Sequence, residues 1–139
     1  MHVDEIMTSP VETITTDTSL AEAARMMLDL GIGLLPVSKD QKLVGVVSDR
    51  DITIGAVAMG LNPEQTKAHV VMTSHVFSCP TGSDVMDACQ LMEEKQVRRL
   101  LVMDAEDRAI GIISLADIAL HVRREQSGDV LKMISQPSP

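Results

Sequence analysis

The chain contains two copies of one pattern, and this internal repeat limits its possible folds more than any other feature. Residues 6–23, IMTSPVETITTDTSLAEA, align without a gap with residues 71–88, VMTSHVFSCPTGSDVMDA, at an offset of 65. One inserted residue near Arg108 moves the offset to 66, so that LVGVVSDRDI (43–52) aligns with AIGIISLADI (109–118). Nearly the whole chain is therefore two copies of a unit of roughly 50 residues, the signature of a duplicated fold.

Each copy predicts the element order β-α-β-β-α. In the first copy, Ser19 begins the capping-box pattern SLAE, apolar residues follow at helical spacing, and Gly31 ends the helix. Two β-type runs, residues 34–37 and 43–47, come next, and Asp49 begins a second helix. A unit of this size buries too little to be stable alone. We therefore expect an α+β fold in which the two repeats pack face to face as one pseudo-symmetric module with a shared core.

The repeat also predicts the domain boundaries. Residues 6–60 form the first repeat and residues 71–122 the second. Residues 61–70 form a linker, in which NPEQ is typical of the start of a short helix because proline favours the first helical position. Residues 123–139 form a C-terminal tail, which we expect to dock as a terminal helix and then fray.

Composition excludes several classes of protein. The formal net charge of the 139 residues is -8, which repels nucleic acid, since nucleic-acid binders neutralise phosphates with clustered Lys and Arg. No apolar run approaches the roughly 20 residues of a membrane span, and the N-terminus MHVDEIMTSP lacks the features of a signal peptide. We therefore expect a cytoplasmic protein that binds neither nucleic acid nor a membrane.

The cysteines and histidines show no catalytic or metal-binding spacing. Cys79 and Cys89 lack the C-x-x-C pattern, and the four histidines lack H-E-x-x-H. Two small, partly buried thiols are the simplest interpretation, so we expect neither enzymatic activity nor a metal site. A metal- or redox-responsive role for Cys79, Cys89 and His75 remains an alternative.

A serine ends the last strand of each copy, and an aspartate follows three residues later, about one turn into the next helix: Ser48 with Asp51, and Ser114 with Asp117. A strand-to-helix junction places the hydroxyl and the first helix amides where they can meet an anion. A carboxylate can accept hydrogen bonds from sugar hydroxyls. The pair therefore fits the phosphate and the ribose of a nucleotide. Helix capping explains the same residues at least as well, because both types are favoured at helix N-termini.

Several motifs resemble the cystathionine-β-synthase (CBS) domain, here as the tandem pair called a Bateman module. They are Met-Thr-Ser-Pro, GLLPV and GVVSDRDI, and the resemblance covers residues 6–122. GLNPEQTKA and MEEKQVRRLLV are similar to stand-alone bacterial CBS pairs of the hypoxic-response-protein type. The resemblance implies a regulatory protein that binds AMP, ADP, ATP or S-adenosylmethionine in the cleft between its repeats. It implies no other cofactor, a homodimer, and output through a separate effector protein.

The resemblance also implies roles for individual residues. Asp51 and Asp117 match the family's ribose-binding acid. Backbone groups around the first strand of each copy face the adenine, at Thr13 and Ile14 and at Ser78 and Cys79. The residues that contact phosphate are Ser48, Arg50, Arg98, Arg99 and Ser114.

Charge distinguishes the two copies. Arg98 and Arg99 correspond to Gly33 and Leu34, whereas Arg50 corresponds to Ala116. We therefore expect two unequal sites, since arginines suit bidentate contact with phosphate. The apolar residues that replace polar ones also keep open an alternative function, a stress-response interaction scaffold with empty or degenerate clefts.

Overall fold

The fold is described for residues 1–123 of a computed structural model, so the predicted tail lies outside the described residues apart from Arg123. Both repeats show the predicted α+β order β-α-β-β-α. The first repeat consists of β1 (Ile14–Thr15), α1 (Leu20–Leu30), β2 (Leu34–Lys39), β3 (Lys42–Ser48) and α2 (Asp49–Ile52). The second consists of β4 (Ser78–Pro80), α3 (Val85–Lys95), β5 (Arg99–Met103), β6 (Ala109–Ser114) and α4 (Leu115–Arg123).

Helix α1 begins and ends where its sequence predicts. The Ser19 hydroxyl accepts a hydrogen bond from the amide of Glu22 at 3.1 Å, which satisfies one of the free donors of the first turn. Gly31 ends the helix in the left-handed conformation with φ 66°, which glycine adopts without a steric penalty. The equivalent helix α3 is capped by Asp84, whose carboxylate accepts from the amide of Met86 at 2.8 Å.

Each repeat contains one three-stranded sheet. The strand order is β1-β2-β3 in the first repeat and β4-β5-β6 in the second, with the first pair parallel and the second pair antiparallel in both. The inserted residue falls in the loop between β5 and β6. There the Asp104 carboxylate accepts hydrogen bonds from the amides of Glu106 and Arg108, both at 2.9 Å, so the longer loop is held by its own side chain.

The chain divides into two compact units that do not follow the repeat boundaries. The first unit is Val11–Val76, and the second combines Met1–Pro10 with the described residues from Phe77 onward. Each unit has its own cluster of buried apolar side chains. The predicted α+β fold of two pseudo-symmetric repeats is confirmed. Each sheet gains extra apolar residues from a segment that precedes a repeat in the chain.

These two segments occupy equivalent positions. In the N-terminal segment, residues 1–10, Val3 is fully buried in the second unit and Met7 packs against its core. In the linker segment, residues 66–76, Ala68 is fully buried in the first unit and Met72 packs against its core. Each segment therefore adds apolar burial to a sheet that is small by itself.

Both segments are also bonded to the last strand of their unit. Thr8 and Ile112 exchange two backbone hydrogen bonds of 2.8 and 3.0 Å, and Thr73 and Val46 exchange two of 2.8 and 2.9 Å. The strand residue beside each contact is a buried glycine. A Cβ on Gly45 would lie 2.7 Å from the Thr73 carbonyl oxygen. Glycine is therefore required here by the close approach of a neighbouring chain segment.

The NPEQ stretch does not start the predicted connecting helix. Asn62 forms a single turn, in which its carbonyl accepts from the amide of Gln65 at 3.1 Å. The carbonyls of Pro63 and Thr66 instead accept from the first amides of α1, Ala21 and Leu20, at 3.0 and 2.9 Å. Because these carbonyls cap α1, the turn does not continue, and the short helix is a 3-10 turn at Ala68–Val70.

The last helix differs between the repeats. Helix α2 continues as a π-helical run, Thr53–Val57, whereas α4 is a regular α-helix over its nine residues. Gly55 lies in the π-helical run, and a Cβ there would be 2.8 Å from the Val71 side chain of the linker segment. Within residues 1–123, none of the helices combines the length and the apolar character needed to cross a bilayer.

Candidate functional site

The sheet topology gathers the predicted site residues of the second repeat at one end of its sheet. Strands β4 and β5 are parallel, so both begin at the same end, and the antiparallel β6 finishes there. Ser78 is the first residue of β4, Arg99 the first of β5, and Ser114 the last of β6. Arg99 and Ser114 are direct partners in the ladder, so their side chains project from the same face of the sheet.

The first repeat places its predicted residues in the same way. Ser48 ends β3 at the end of the sheet where β1 and β2 begin, and its direct partner is the half-buried Leu34. Thr13 is exposed just before β1, whereas the Ile14 side chain lies in the core with 3% exposed. The Ile14 carbonyl accepts a hydrogen bond from the Ser38 hydroxyl at 3.4 Å, so Thr13 is the more accessible residue of this predicted pair.

The repeated serine and aspartate hydrogen-bond to each other in both copies. Asp51 Oδ2 accepts from the Ser48 amide at 2.9 Å, and the Ser48 hydroxyl accepts from the Asp51 amide at 3.0 Å. The second copy repeats this capping box between Ser114 and Asp117 with distances of 3.1 and 3.0 Å. The capping interpretation is therefore confirmed. It does not exclude a ligand, since the Oδ1 atoms of Asp51 and Asp117 have no hydrogen-bond partner among residues 1–123.

The arginines of the second repeat are free to meet an anion. Arg98 and Arg99 are exposed, and neither forms an ion pair within the part of the chain that the structure describes. The Arg98 carbonyl accepts from the amide of Leu115 at 2.8 Å, which fixes the backbone at this junction. Arg99 and Ser114 therefore share one face at the end of the sheet, with Arg98 next to them in the chain, and an arginine beside a hydroxyl suits a phosphate or carboxylate.

The first repeat has an acid where the second has a leucine, and the sequence predicted for this acid only the start of a helix. Asp49 corresponds to Leu115, and a Cβ on Gly33 would lie 2.8 Å from Asp49 Oδ2. The other oxygen of Asp49 accepts from the amide of Arg50 at 2.8 Å. With the half-buried Asp51 nearby, this junction carries two carboxylates and one arginine, which disfavours an anion by Coulomb repulsion. The sequence signal for this contact was Gly33, because a residue without a side chain leaves room for the Asp49 carboxylate.

A groove of about 290 Å³ lies between β4 and α3 in the second repeat, which is near the lower limit of roughly 300 Å³ for small-molecule sites. Two of the predicted adenine contacts, Ser78 and Cys79, line it. The other wall, on one side of α3, has no signal in the sequence, because it depends on how α3 packs beside the strand. The polar residues of this wall are Asp87, Gln90 and Glu94.

Strand β4 lies at the edge of its sheet and presents backbone groups to this side. The Phe77 carbonyl accepts from the amide of Leu101 at 3.2 Å, and the Thr81 amide donates to the carbonyl of Met103 at 2.9 Å. Successive residues of a strand point their backbone groups in opposite directions, so the amide and carbonyl of Ser78 face away from β5. One donor and one acceptor are therefore available to a planar base at the open edge.

The two cysteines are buried and unreactive. Both are free thiols, with 6% of Cys79 and 2% of Cys89 exposed. Burial raises the pKa of Cys89 to about 11, and burial is also the main cause that raises the pKa of Cys79. The reactive thiolate is therefore scarce at neutral pH. Among residues 1–123, no group of three or more His, Cys, Asp or Glu side chains is arranged to hold a metal ion.

The sequence matches the model of the CBS domain family twice, over residues 3–55 and 68–124, and the chain belongs to this family. It is 34% identical over 134 residues to the CBS domain-containing protein YhcV of Bacillus subtilis, covering 96% of this chain and 94% of YhcV. It is 33% identical over 134 residues to Hypoxic response protein 1 of Mycobacterium tuberculosis, covering 96% and 93% of the two chains.

Solved structures share the fold. The structure of Hypoxic Response Protein I with two coordinated zinc ions has a TM-score of 0.76 and 34% identity, covering 87% of this chain and 98% of that one. The CBS domain pair of MJ0100 with 5-methylthioadenosine and S-adenosyl-L-methionine has a TM-score of 0.80 and 24% identity, covering 91% and 98%. CBSX2 in complex with AMP has a TM-score of 0.73 and 24% identity, covering 91% and 98%. The last two likenesses show the fold alone.

Proposed function

We propose that this CBS pair is a regulatory module of the cytoplasm that binds an adenosine-containing ligand and signals through conformation or assembly. The ligand is AMP, ADP, ATP or S-adenosylmethionine. The module has no catalytic function of its own, acts as a homodimer, and passes its signal to a separate effector protein. Neither nucleic acid nor a membrane is a partner.

The observation that carries this proposal is the end of the sheet in the second repeat. Ser114 and two arginines without ion-pair partners among the described residues suit the phosphates. The Oδ1 atom of Asp117 is available to the ribose hydroxyls. The outward-facing backbone of Ser78 and the groove beside it suit the base. Ser114 and Asp117 lie at the end of β6, Arg99 lies at the start of β5, and the groove lies beside β4.

The first repeat offers a weaker version of the same site. Its ribose group Asp51, its phosphate groups Ser48 and Arg50, and the backbone of Thr13 and Ile14 are placed equivalently. The partner of Ser48 in the sheet is Leu34 instead of an arginine. We propose that the second repeat binds first and that the first repeat prefers a ligand with less negative charge.

Relatives support the class of ligand through the family. The CBS pair of MJ0100 holds 5-methylthioadenosine and S-adenosyl-L-methionine, and CBSX2 holds AMP. A ligand changes the output of such a module only if it binds one conformation or assembly more tightly than another. Binding also stabilises the folded state in proportion to the logarithm of ligand concentration.

The direct test is thermal-shift screening with AMP, ADP, ATP, S-adenosylmethionine and NAD, followed by calorimetry with the ligand that stabilises most. We expect Asp117→Asn to weaken binding about tenfold, since the hydrogen bonds to ribose lose a charged acceptor. Asparagine can still accept from the Ser114 amide, so the cap is preserved. Asp107→Asn makes the same change in the β5–β6 loop and should leave binding unchanged. No shift with any of these ligands would refute the proposed nucleotide function.

Zinc is the second candidate, because a relative at 34% identity was solved with two coordinated zinc ions. A thermal shift with zinc alone, abolished by a chelator, would support a metal-responsive module. A peroxide-dependent shift would point to the redox alternative. No response to nucleotides, zinc or peroxide would favour the interaction scaffold.

A further inference from the structure

The Met-Thr-Ser motif occurs in both copies and places a thioether at the same position in each unit. Met7 of the N-terminal segment corresponds to Met72 of the linker segment. The atoms nearest to a Cβ on Gly111 would all belong to the Met7 side chain, and a Cβ on Gly45 would lie 3.1 Å from Met72 Sδ. Each methionine therefore rests on the bare backbone of the last strand of its unit.

These contacts lie at the points where the two segments are attached. The residue after each methionine, Thr8 or Thr73, exchanges two backbone hydrogen bonds with that strand. The side chains of Met7 and Met72 also pack against the core cluster of their unit. Loss of the methionine packing should therefore weaken the attachment of the segment, because the apolar contact and the hydrogen bonds hold the same stretch of chain.

Oxidants in solution can reach these two thioethers. Met7 and Met72 are half-buried, whereas Met27 and Met92 are buried in the cores with 7% and 2% exposed. The cysteines are buried as well, and their reactive thiolate is scarce. A thioether has no proton to lose, so its oxidation depends on access alone. Met7 and Met72 therefore combine access to oxidants with a structural contact.

We propose that Met7 and Met72 are oxidation sites, at which conversion to the sulfoxide by hydrogen peroxide loosens the segment that each methionine holds. The sulfur lone pair attacks one peroxide oxygen, an S–O bond forms, the O–O bond breaks, and the second oxygen leaves as water. Sulfur is thereby oxidised and the peroxide is reduced. A sulfoxide is polar and is more stable in water than against an apolar core, so the side chain turns outward.

The inference does not depend on the nucleotide function, since neither methionine is among the residues assigned to the ligand. The test is treatment of the full chain with hydrogen peroxide, followed by peptide mass spectrometry and amide hydrogen exchange. The Val3 amide donates to the Ser83 carbonyl and the Ala68 amide to the Thr18 carbonyl, both at 2.8 Å, so each amide reports one segment. We expect peroxide to speed exchange at both amides about tenfold, and methionine sulfoxide reductase to reverse this.

Leucine variants assign the effect to each sulfur. Leucine has nearly the volume of methionine and cannot be oxidised, so folding should be retained, and circular dichroism checks this. Met7→Leu should keep exchange at Val3 slow in peroxide and leave Ala68 sensitive. Met72→Leu should do the reverse. Met59→Leu is the matched control, since Met59 is 70% exposed and its oxidation should leave both amides unchanged.

Protection that follows each leucine variant, with a wild-type response for Met59→Leu, would support the proposal. The proposal is overturned if Met7 and Met72 remain thioethers while Met59 is fully oxidised, or if their sulfoxides leave exchange slow. Recovery with dithiothreitol also overturns it, because a thiol reductant reverses the oxidation of cysteine and not that of methionine. Reversal by the reductase is measured on the unaltered chain and so decides the question even if a variant fails to fold. Calorimetry with AMP on the untreated chain scores the nucleotide function separately.

Discussion

The two strand-to-helix junctions share one hydrogen-bonding scheme and differ in charge. Ser48 with Asp51 and Ser114 with Asp117 form the same capping box, with distances that agree within 0.2 Å. Around this scheme the first repeat has a carboxylate from Asp49, whereas the second has the side chain of Leu115 and two arginines that form no ion pair among residues 1–123. The duplicated scaffold thus retains what the helix start needs. The residues that differ include those proposed above to contact a ligand.

The largest difference that we expect is in stability, at the glycines where the two sheets contact the linker segment and the N-terminal segment. A Cβ on Gly45 would lie 2.7 Å from a backbone oxygen of Thr73, whereas one on Gly111 would meet the flexible side chain of Met7. We expect Gly45→Ala to lower the free energy of unfolding by about 3 kcal/mol and Gly111→Ala by about 1 kcal/mol, since a side chain can rotate away and a backbone cannot. Urea unfolding measures both. Equal losses would mean that the two segments are held alike.

The next effect concerns the charge of the two junctions. Arg99→Leu gives the second repeat the residue that the first has opposite its serine, and we expect about tenfold weaker AMP binding, about 1.4 kcal/mol. The reverse change, Leu34→Arg with Asp49→Leu, should create tighter binding in the first repeat. Titration calorimetry reports the affinity and the number of sites. Arg108→Leu removes an equal charge from the β5–β6 loop and serves as the control. If it weakens binding as much as Arg99→Leu does, general electrostatics is the cause.

The smallest effect concerns pH and the N-terminal segment. Hydrogen bonds from the Thr81 hydroxyl and the Gly82 amide lower the pKa of Asp4 below its usual 3.8. A carboxylate with a lowered pKa stabilises the fold above 3.8, and this contribution is lost as the pH falls through the pKa of the folded state. We therefore expect acid to loosen this segment before the linker segment, where His69 takes the place of Asp4.

Amide hydrogen exchange at Val3 and Ala68 against pH measures this difference. It should be small, because Asp4 is exposed to solvent. Asp4→Asn should make exchange at Val3 slightly faster at neutral pH and remove the difference in acid dependence between Val3 and Ala68. Parallel acid dependence of Val3 and Ala68 would contradict the role of Asp4.

Local elements were predictable because their signals are local. The element order, the Ser19 cap and the Gly31 stop follow from residues within a few positions of each other. The same holds for the serine and aspartate pairs, whose spacing is that of a capping box. Because the two copies align, both pairs could be predicted to lie at equivalent ends of their sheets without knowledge of the strand pairing.

Features that depend on distant contacts were not predictable. The burial of Val3 depends on a sheet that begins more than seventy residues later in the sequence, at Ser78. The NPEQ stretch failed as a helix because its carbonyls cap α1 instead. The α3 wall of the groove required knowing how Asp87 and Glu94 lie beside β4. The domain boundaries stay a prediction. They come from the alignment of the two copies, whereas the compact units are defined by contacts in three dimensions.

The N-terminal segment and the linker segment make the two units different in chain continuity. Val11–Val76 is one uninterrupted stretch that already contains every residue of its own core cluster. Its counterpart is split, because Val3 must return from the other end of the chain. During synthesis the first unit can therefore close as soon as its last residue emerges, whereas the first ten residues must wait for the second sheet. A gene fragment that encodes Val11–Val76 would therefore contain one complete core cluster. The core cluster of the other unit would be divided between two separate fragments, Met1–Pro10 and the residues from Phe77 onward.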